Sequence, residues 1–213
     1  MNKQLICIFA VFISFISLEV SASSDDGIIS LNGKWELSYW KQPEQPVLSP
    51  DGMKQMEVKT ITGTVPGNVE LDLLFAGLID DPMTGNNVNE LRKWEEFQWC
   101  YSKSFTSPQL EKGQRLQLFF GGIDCLADIW LNGKHIGKPE NMLIEHSFDV
   151  TNEIKQGESN LLQVIIRSSV IEGQNYFLGS FSIGNFPSEE STFIRKAPHA
   201  YGWDILPRLV TAG

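Results

Sequence analysis

The chain has 213 residues, with 17 Lys and Arg against 26 Asp and Glu and a formal net charge of −9. Duplex nucleic acid is gripped by neutralising phosphates with Lys and Arg, so a scattered acidic excess excludes a nucleic-acid partner and reads as a soluble surface. The length suits one domain.

Residues 1–22 read as a signal peptide. Lys3 supplies the positive end, Leu5 to Leu18 is apolar except for Ser14 and Ser17, and Val20-Ser21-Ala22 offers a small-residue cleavage site. A membrane anchor is the other reading, but a spanning helix needs roughly 20 apolar residues and the run is 14 long. Cleavage after Ala22 is expected, giving a secreted or periplasmic domain of residues 23–213 with no membrane span left and the net charge unchanged, because Lys3 and Glu19 leave together.

Lys34 to Trp40 alternates, with Trp35, Leu37 and Tyr39 on one face, which is a strand. Pro43, Pro46 and Pro50 mark a loop, and residues 56–65, rich in Val, Thr and Ile, read as a second strand. Pro66-Gly67 turns the chain. Asn68 is placed to cap a short helix from Val69 to Ala76 with Gly77 just beyond its end. A second short helix is expected over Asn89–Glu96, with Leu91 and Trp94 on one side. From Phe97 the pattern is β. Phe97, Trp99, Tyr101 and Phe105 share a face, as do Leu116, Leu118 and Phe120. Residues 125–131 form a strand before Asn132-Gly133, a dipeptide that favours a tight hairpin because both residues tolerate positive φ. Phe148 and Val150 end another strand, and the apolar run Leu161–Arg167 is expected to be covered on both faces. Seven or eight strands without a long amphipathic helix make an all-β β-sandwich with one or two short helices. Residues 169–202 form a long loop, rich in Gly, Pro and aromatics, of the kind that carries function.

The chemistry of catalysis is not legible. Hydrolysis by a carboxylate pair of the nucleophile-and-acid kind needs two carboxyl groups about 5–5.5 Å apart. The doublets Asp25-Asp26, Asp80-Asp81, Glu95-Glu96 and Glu189-Glu190 are read as solvated pairs, since neighbours on a strand point to opposite faces. His135, His146 and His199 lack metal-ligand spacing, and neither a nucleophile elbow nor a phosphate-cradling loop is present, so no metal or cofactor is expected. Cys7 leaves with the signal peptide. Cys100 and Cys125 are permitted a disulfide by export, but two buried free thiols are the preferred reading.

Four segments together carry a resemblance: Leu31-Asn32-Gly33-Lys34-Trp35; Val65-Pro66-Gly67-Asn68 through Asp81-Pro82, Trp94 and Trp99-x-Tyr101; Asp128-Ile129-Trp130-Leu131-Asn132-Gly133 through Phe148-Asp149-Val150-Thr151; and Arg195-Lys196-Ala197 with Gly202-Trp203-Asp204, Pro207-Arg208 and Thr211-Ala212-Gly213. They resemble the N-terminal domain of glycoside hydrolase family 2, on its β-mannosidase-like branch, over residues 31–213. The resemblance implies a jelly-roll, galactose-binding-like sandwich. It implies that Asp204 and Trp203 contact the sugar, with Arg195 in support, and that the partners are a β-mannoside-like glycan bound at its non-reducing end and a downstream catalytic (β/α)₈ barrel. That barrel holds the family's catalytic carboxylates, so no catalytic residue is expected here, and the family continues past the position of Gly213 into another strand. Where the family usually reads Gly-Trp-Asp-Trp-Gly-Pro-Arg, this chain has Ile205 and Leu206 in place of the second Trp and the Gly. Three readings follow: a non-catalytic, truncated domain of a β-mannosidase-like enzyme, a free-standing carbohydrate-binding module, and an interaction module without a glycan role. The first is preferred.

Overall fold

A computed structural model describes residues 27–176, 189–202 and 205–213. The chain divides into Met1–Ser30 and Leu31–Gly213, and the eight strands among the described residues lie in the second unit. They are β1 (Gly33–Lys41), β2 (Lys59–Val65), β3 (Phe97–Thr106), β4 (Gln117–Phe120), β5 (Ala127–Leu131), β6 (Lys134–Gly137), β7 (His146–Asp149) and β8 (Ser159–Ile166). Six form an antiparallel sheet in the order β2-β1-β3-β8-β5-β6, and β4 pairs with β7 in a second sheet.

Register turns the sequence alternation into layers. Ile61, Leu37, Tyr101, Val164 and Ile129 stand opposite one another across five strands, and Tyr39, Trp99, Ile166 and Ala127 form the next row. Directly opposed residues share a face, so both rows belong to one core, to which β4 and β7 add Leu118 and Phe148. This is the sandwich expected from the pattern. The other face of the large sheet is also covered at one end. Trp40, Cys100 and Ile165 form a second cluster under Val47, Met53, Met56 and Val58. That cover explains why β8 reads as a near-continuous apolar run, and it gives Cys100 its burial.

Among the described residues the α-helices are few and short, as expected: α1 (Pro50–Met53), α2 (Val69–Phe75) and α3 (Ser169–Gly173). The sequence reading missed α1, whose signal was Ser49 as cap and Pro50 in the first turn. In α2, Asn68 Oδ1 accepts from Leu71 N at 2.9 Å. The helix closes with Leu78 N donating to Leu73 O and Gly77 N to Leu74 O, Gly77 holding φ +68°, the paired bonds of a glycine-terminated helix end. The expected second helix is a 3₁₀ helix over Asn87–Trp94, and its eclipsed i, i+3 spacing buries Leu91 and Trp94 together. Asn132 and Gly133 have φ of 53° and 79° and make the β5–β6 hairpin turn.

Asp72 locks α2 to β2. Its Oδ1 accepts from Thr64 N at 3.0 Å, while Oδ2 is buried without a partner. Desolvation holds this carboxyl above its ordinary range, against the pull of the Thr64 bond and Lys34. Between the ordinary value and the raised one, the folded chain binds more protons than the unfolded chain. Stability from Asp72 is therefore full at acid pH and lost as pH rises through the raised value. Asp72→Asn cannot titrate, so its melting temperature should gain on the wild type between roughly pH 3.5 and pH 7. A difference that does not vary with pH would contradict this.

Candidate functional site

Register places the end of β1, the start of β3, the start of β5 and the end of β8 along one edge of the large sheet, since Lys41 faces Phe97, Trp99 faces Ile166 and Ile166 faces Ala127. The segments 42–58, 87–96, 121–126, 138–145 and 167–176 therefore all open at that edge. Backbone bonds first tie residues 195–202 and 205–213 to the sandwich. Met142 N donates to Arg195 O at 3.0 Å, Leu209 N to Ala200 O at 2.9 Å, Val69 N to Ala212 O at 2.9 Å and Asp124 N to Gly213 O at 2.8 Å. An antiparallel bridge between Tyr201 and Arg208 closes the loop 202–207.

Buried ion pairs then fix the segment to the sandwich. Arg208 Nε and Nη2 donate to the two oxygens of Glu95, each at 2.8 Å, and Nη2 also donates to Glu190 Oε1 at 2.7 Å. The guanidinium lies 5.5 Å from the centre of the Tyr201 ring. Burial opposes the charge of Arg208, but the two carboxylates outweigh it and raise its pKa further. Lys196, 1% exposed along its side chain, bonds Asp124 Oδ2 and donates to Thr211 O at 3.4 Å.

A second network abuts the first. Arg167 donates to Glu172 at 3.2 Å and to Glu140 at 3.1 Å. Glu172 also accepts from Gln42 Nε2, and Gln42 Oε1 accepts from Ser168 N. Ser168, the cap of α3, donates its hydroxyl to Glu95 O at 2.5 Å, which joins the two arginine networks. A cleft of about 340 Å³ beside them is lined by Gln42, Arg92, Glu95, Glu96 and α3 residues. Of its carboxylates, Glu95 is engaged by Arg208 and Glu96 by Lys41 at 3.0 Å.

Of the residues singled out in the sequence, Trp203 and Asp204 lie outside the described residues. Their described neighbours Ile205 and Leu206 are exposed, at 90% and 43%. Arg195 is exposed, and its backbone bridges to Asn141, whereas the adjacent Lys196 makes the buried ion pair. Two of the doublets differ from the solvated pairs expected. Glu95 and Glu190 are largely withdrawn from water and share the guanidinium of Arg208. Asp25 and Asp26 lie outside the described residues. No sequence signal marks Glu95, because its partner lies 113 positions away. Cys100 and Cys125 are free and buried, as preferred from the sequence. Burial pushes their thiols up to about 11 and about 12, so neither supplies a thiolate near neutral pH. Among the described residues no cluster of His, Cys, Asp and Glu is arranged to hold a metal ion, and no helix is long and apolar enough to cross a membrane.

The arrangement ties the described residues on either side of 203–204 to the sandwich. The chain belongs to the glycosyl hydrolase 2 galactose-binding domain-like family, which matches residues 42–213. It is similar to a crystal structure of β-D-mannosidase from Dictyoglomus thermophilum, with 34% identity and a TM-score of 0.69, covering 87% of this chain and 21% of that one. It is also similar to the β-mannosidase of Mus musculus, 33% identical over 86% of this chain and 20% of the relative. A third relative is β-mannosidase B of Thermothelomyces thermophilus, 30% identical over 87% of this chain and 21% of the relative. The chain spans about one fifth of the length of these relatives.

Proposed function

We propose that this chain is the non-catalytic, sugar-contacting domain of a β-mannosidase-like glycoside hydrolase. It supplies Asp204 and Trp203 to a glycan site whose acid/base and nucleophile carboxylates belong to a separate catalytic barrel, with Arg195 beside them in a supporting role. The observation that carries this reading is the loop 202–207, closed by the Tyr201–Arg208 bridge and tied by a buried guanidinium in a domain similar to those of β-mannosidases. A carboxylate accepting from sugar hydroxyls makes bonds stronger than neutral ones, which suits Asp204 to binding. The glycan is a β-mannoside-like one engaged at its non-reducing end. The domain is residues 23–213, exported after cleavage behind Ala22, and mass spectrometry of the exported protein should find Ser23 as its first residue. The purified chain should release no nitrophenol from an aryl β-mannoside above the buffer rate. Turnover abolished by a point change in this chain would overturn the division of labour. Tight glycan binding by the chain alone would favour a free-standing binding module instead.

A further inference from the structure

We propose that the outward side of α2, with Leu71, Phe75 and Leu78, is the surface on which this domain packs against the catalytic barrel; the inference rests on the function proposed above. α2 has two apolar sides. Val69 and Leu73, one turn apart, enter the core of the sandwich. Glu70 and Asp72 tie the helix down by accepting from Thr211 N and Thr64 N. Leu71 and Phe75 are also one turn apart but point away from that core, Leu71 48% and Phe75 80% exposed. A helix that is apolar on opposite sides is the kind enclosed from both.

Charge does not interrupt this surface. From Leu73 to Ile79 the chain carries no charged residue, and the consecutive residues Phe75, Ala76, Gly77 and Leu78 are all exposed. A surface left to water interleaves charges of both signs, and an exposed apolar patch marks an interaction site. The patch is also held in place before anything covers it. Gly77 and Leu78 close the helix end by their bonds to Leu74 O and Leu73 O. Met83, 70% exposed, stands in a turn where Asp81 Oδ1 accepts from Met83 N at 2.9 Å and Asn87 Nδ2 donates to Asp81 O at 3.0 Å. Groups ordered in advance lose little freedom on docking.

Two observations choose the occupant. Residues 212 and 213 lie at the start of α2, where Val69 N donates to Ala212 O at 2.9 Å and a Cβ at Gly213 would fall 2.7 Å from Gly67 O. This chain spans about one fifth of the length of its relatives. A barrel joined behind residue 213 is thus tethered beside this helix, at an effective concentration in the millimolar range. A second copy has no tether. It needs an interface of about 800 Å² per partner, and the exposed parts of four side chains fall short of that.

The test labels thiols with a maleimide and reads each site by peptide mass. Cys100 and Cys125 are buried, so they stay silent in the folded chain. In the isolated chain, Phe75→Cys and Met83→Cys should label within about threefold of their rates in urea, and in the enzyme with its barrel about a hundredfold more slowly. A benzophenone attached at Met83→Cys should cross-link to barrel peptides on illumination. Phe75→Lys should leave the urea midpoint of the isolated chain in place, because the ring already stands in water. In the enzyme it should speed labelling of Met83→Cys by about tenfold, because an unpaired ammonium does not pack into an apolar contact. Fast labelling at both positions in an enzyme that hydrolyses its substrate would overturn the inference, as would cross-links that fall only outside the barrel. Protection in the isolated chain that grows with its concentration would overturn it in favour of a second copy. If Asp204→Ala is kinetically silent, the sugar-contacting role fails instead, and the labelling still decides what covers α2.

Discussion

Replacing Lys196 by Met should destabilise the fold by about 3–5 kcal/mol, the usual cost of removing one partner from a buried ion pair. The ammonium is almost fully enclosed and bonds Asp124 Oδ2, while Asp124 Oδ1 is buried without a partner. Burial already raises the Asp124 carboxyl above its ordinary range, and Lys196 is the largest influence pulling it back. Without Lys196 the raise grows. A raised folded value means stability that is full at acid pH and lost as pH rises through it, so the deficit of Lys196→Met should widen from about pH 4 to pH 7. Adding Asp124→Asn removes the stranded charge and should recover more than half of the loss. Urea denaturation at the two pH values measures both effects. A deficit under about 1 kcal/mol at pH 7 would show that the pair contributes little.

Trp99→Ala should cost a similar amount, about 3–5 kcal/mol, for a different reason. Trp99 is 1% exposed, and its ring centre lies 5.4 Å from Tyr39, 6.0 Å from Trp94 and 6.1 Å from Phe97. It also stands opposite Tyr39 on one side and Ile166 on the other. Truncation removes a large apolar surface and leaves a cavity flanked by β1, β8 and the 3₁₀ helix, which cannot collapse while β3 stays paired on both edges. Urea titration should show the loss in the midpoint rather than the slope, and the near-ultraviolet circular dichroism of the aromatic group should fall. A variant within about 1 kcal/mol of the wild type would mean that the cluster relaxes freely.

Local pattern reached far into this fold. The alternation of β1 and β3, the Asn132-Gly133 hairpin and the capped helix from Asn68 to Gly77 were legible because each is specified by residues within a few positions of one another. The near-continuous apolar run of β8 was legible too, since a strand covered on both faces favours it. The cover itself was not. Three prolines in the segment 43–50 read as loop, and that Met53 and Met56 lie over Trp40 depends on packing with no periodicity to announce it. The ion networks were hidden for the same reason. Glu95 looks like half of a surface doublet until Arg208 arrives from 113 positions away, and Lys196 meets Asp124 across 72. Arg195, picked out by resemblance, presents its backbone to the sandwich, and its neighbour Lys196 does the anchoring.

The central claim, that this domain lends a binding carboxylate to a catalytic site it does not itself contain, is tested most directly by Asp204→Ala in the enzyme with its barrel. Removing one charge-assisted hydrogen bond to a sugar hydroxyl costs about 1.5–3 kcal/mol, which corresponds to roughly a ten- to hundredfold loss in kcat/KM. Because hydroxyl contacts tighten toward the transition state, KM should rise and kcat should fall together. Unchanged kinetics in a well-folded Asp204→Ala enzyme would contradict the claim and leave the loop a structural element of the sandwich.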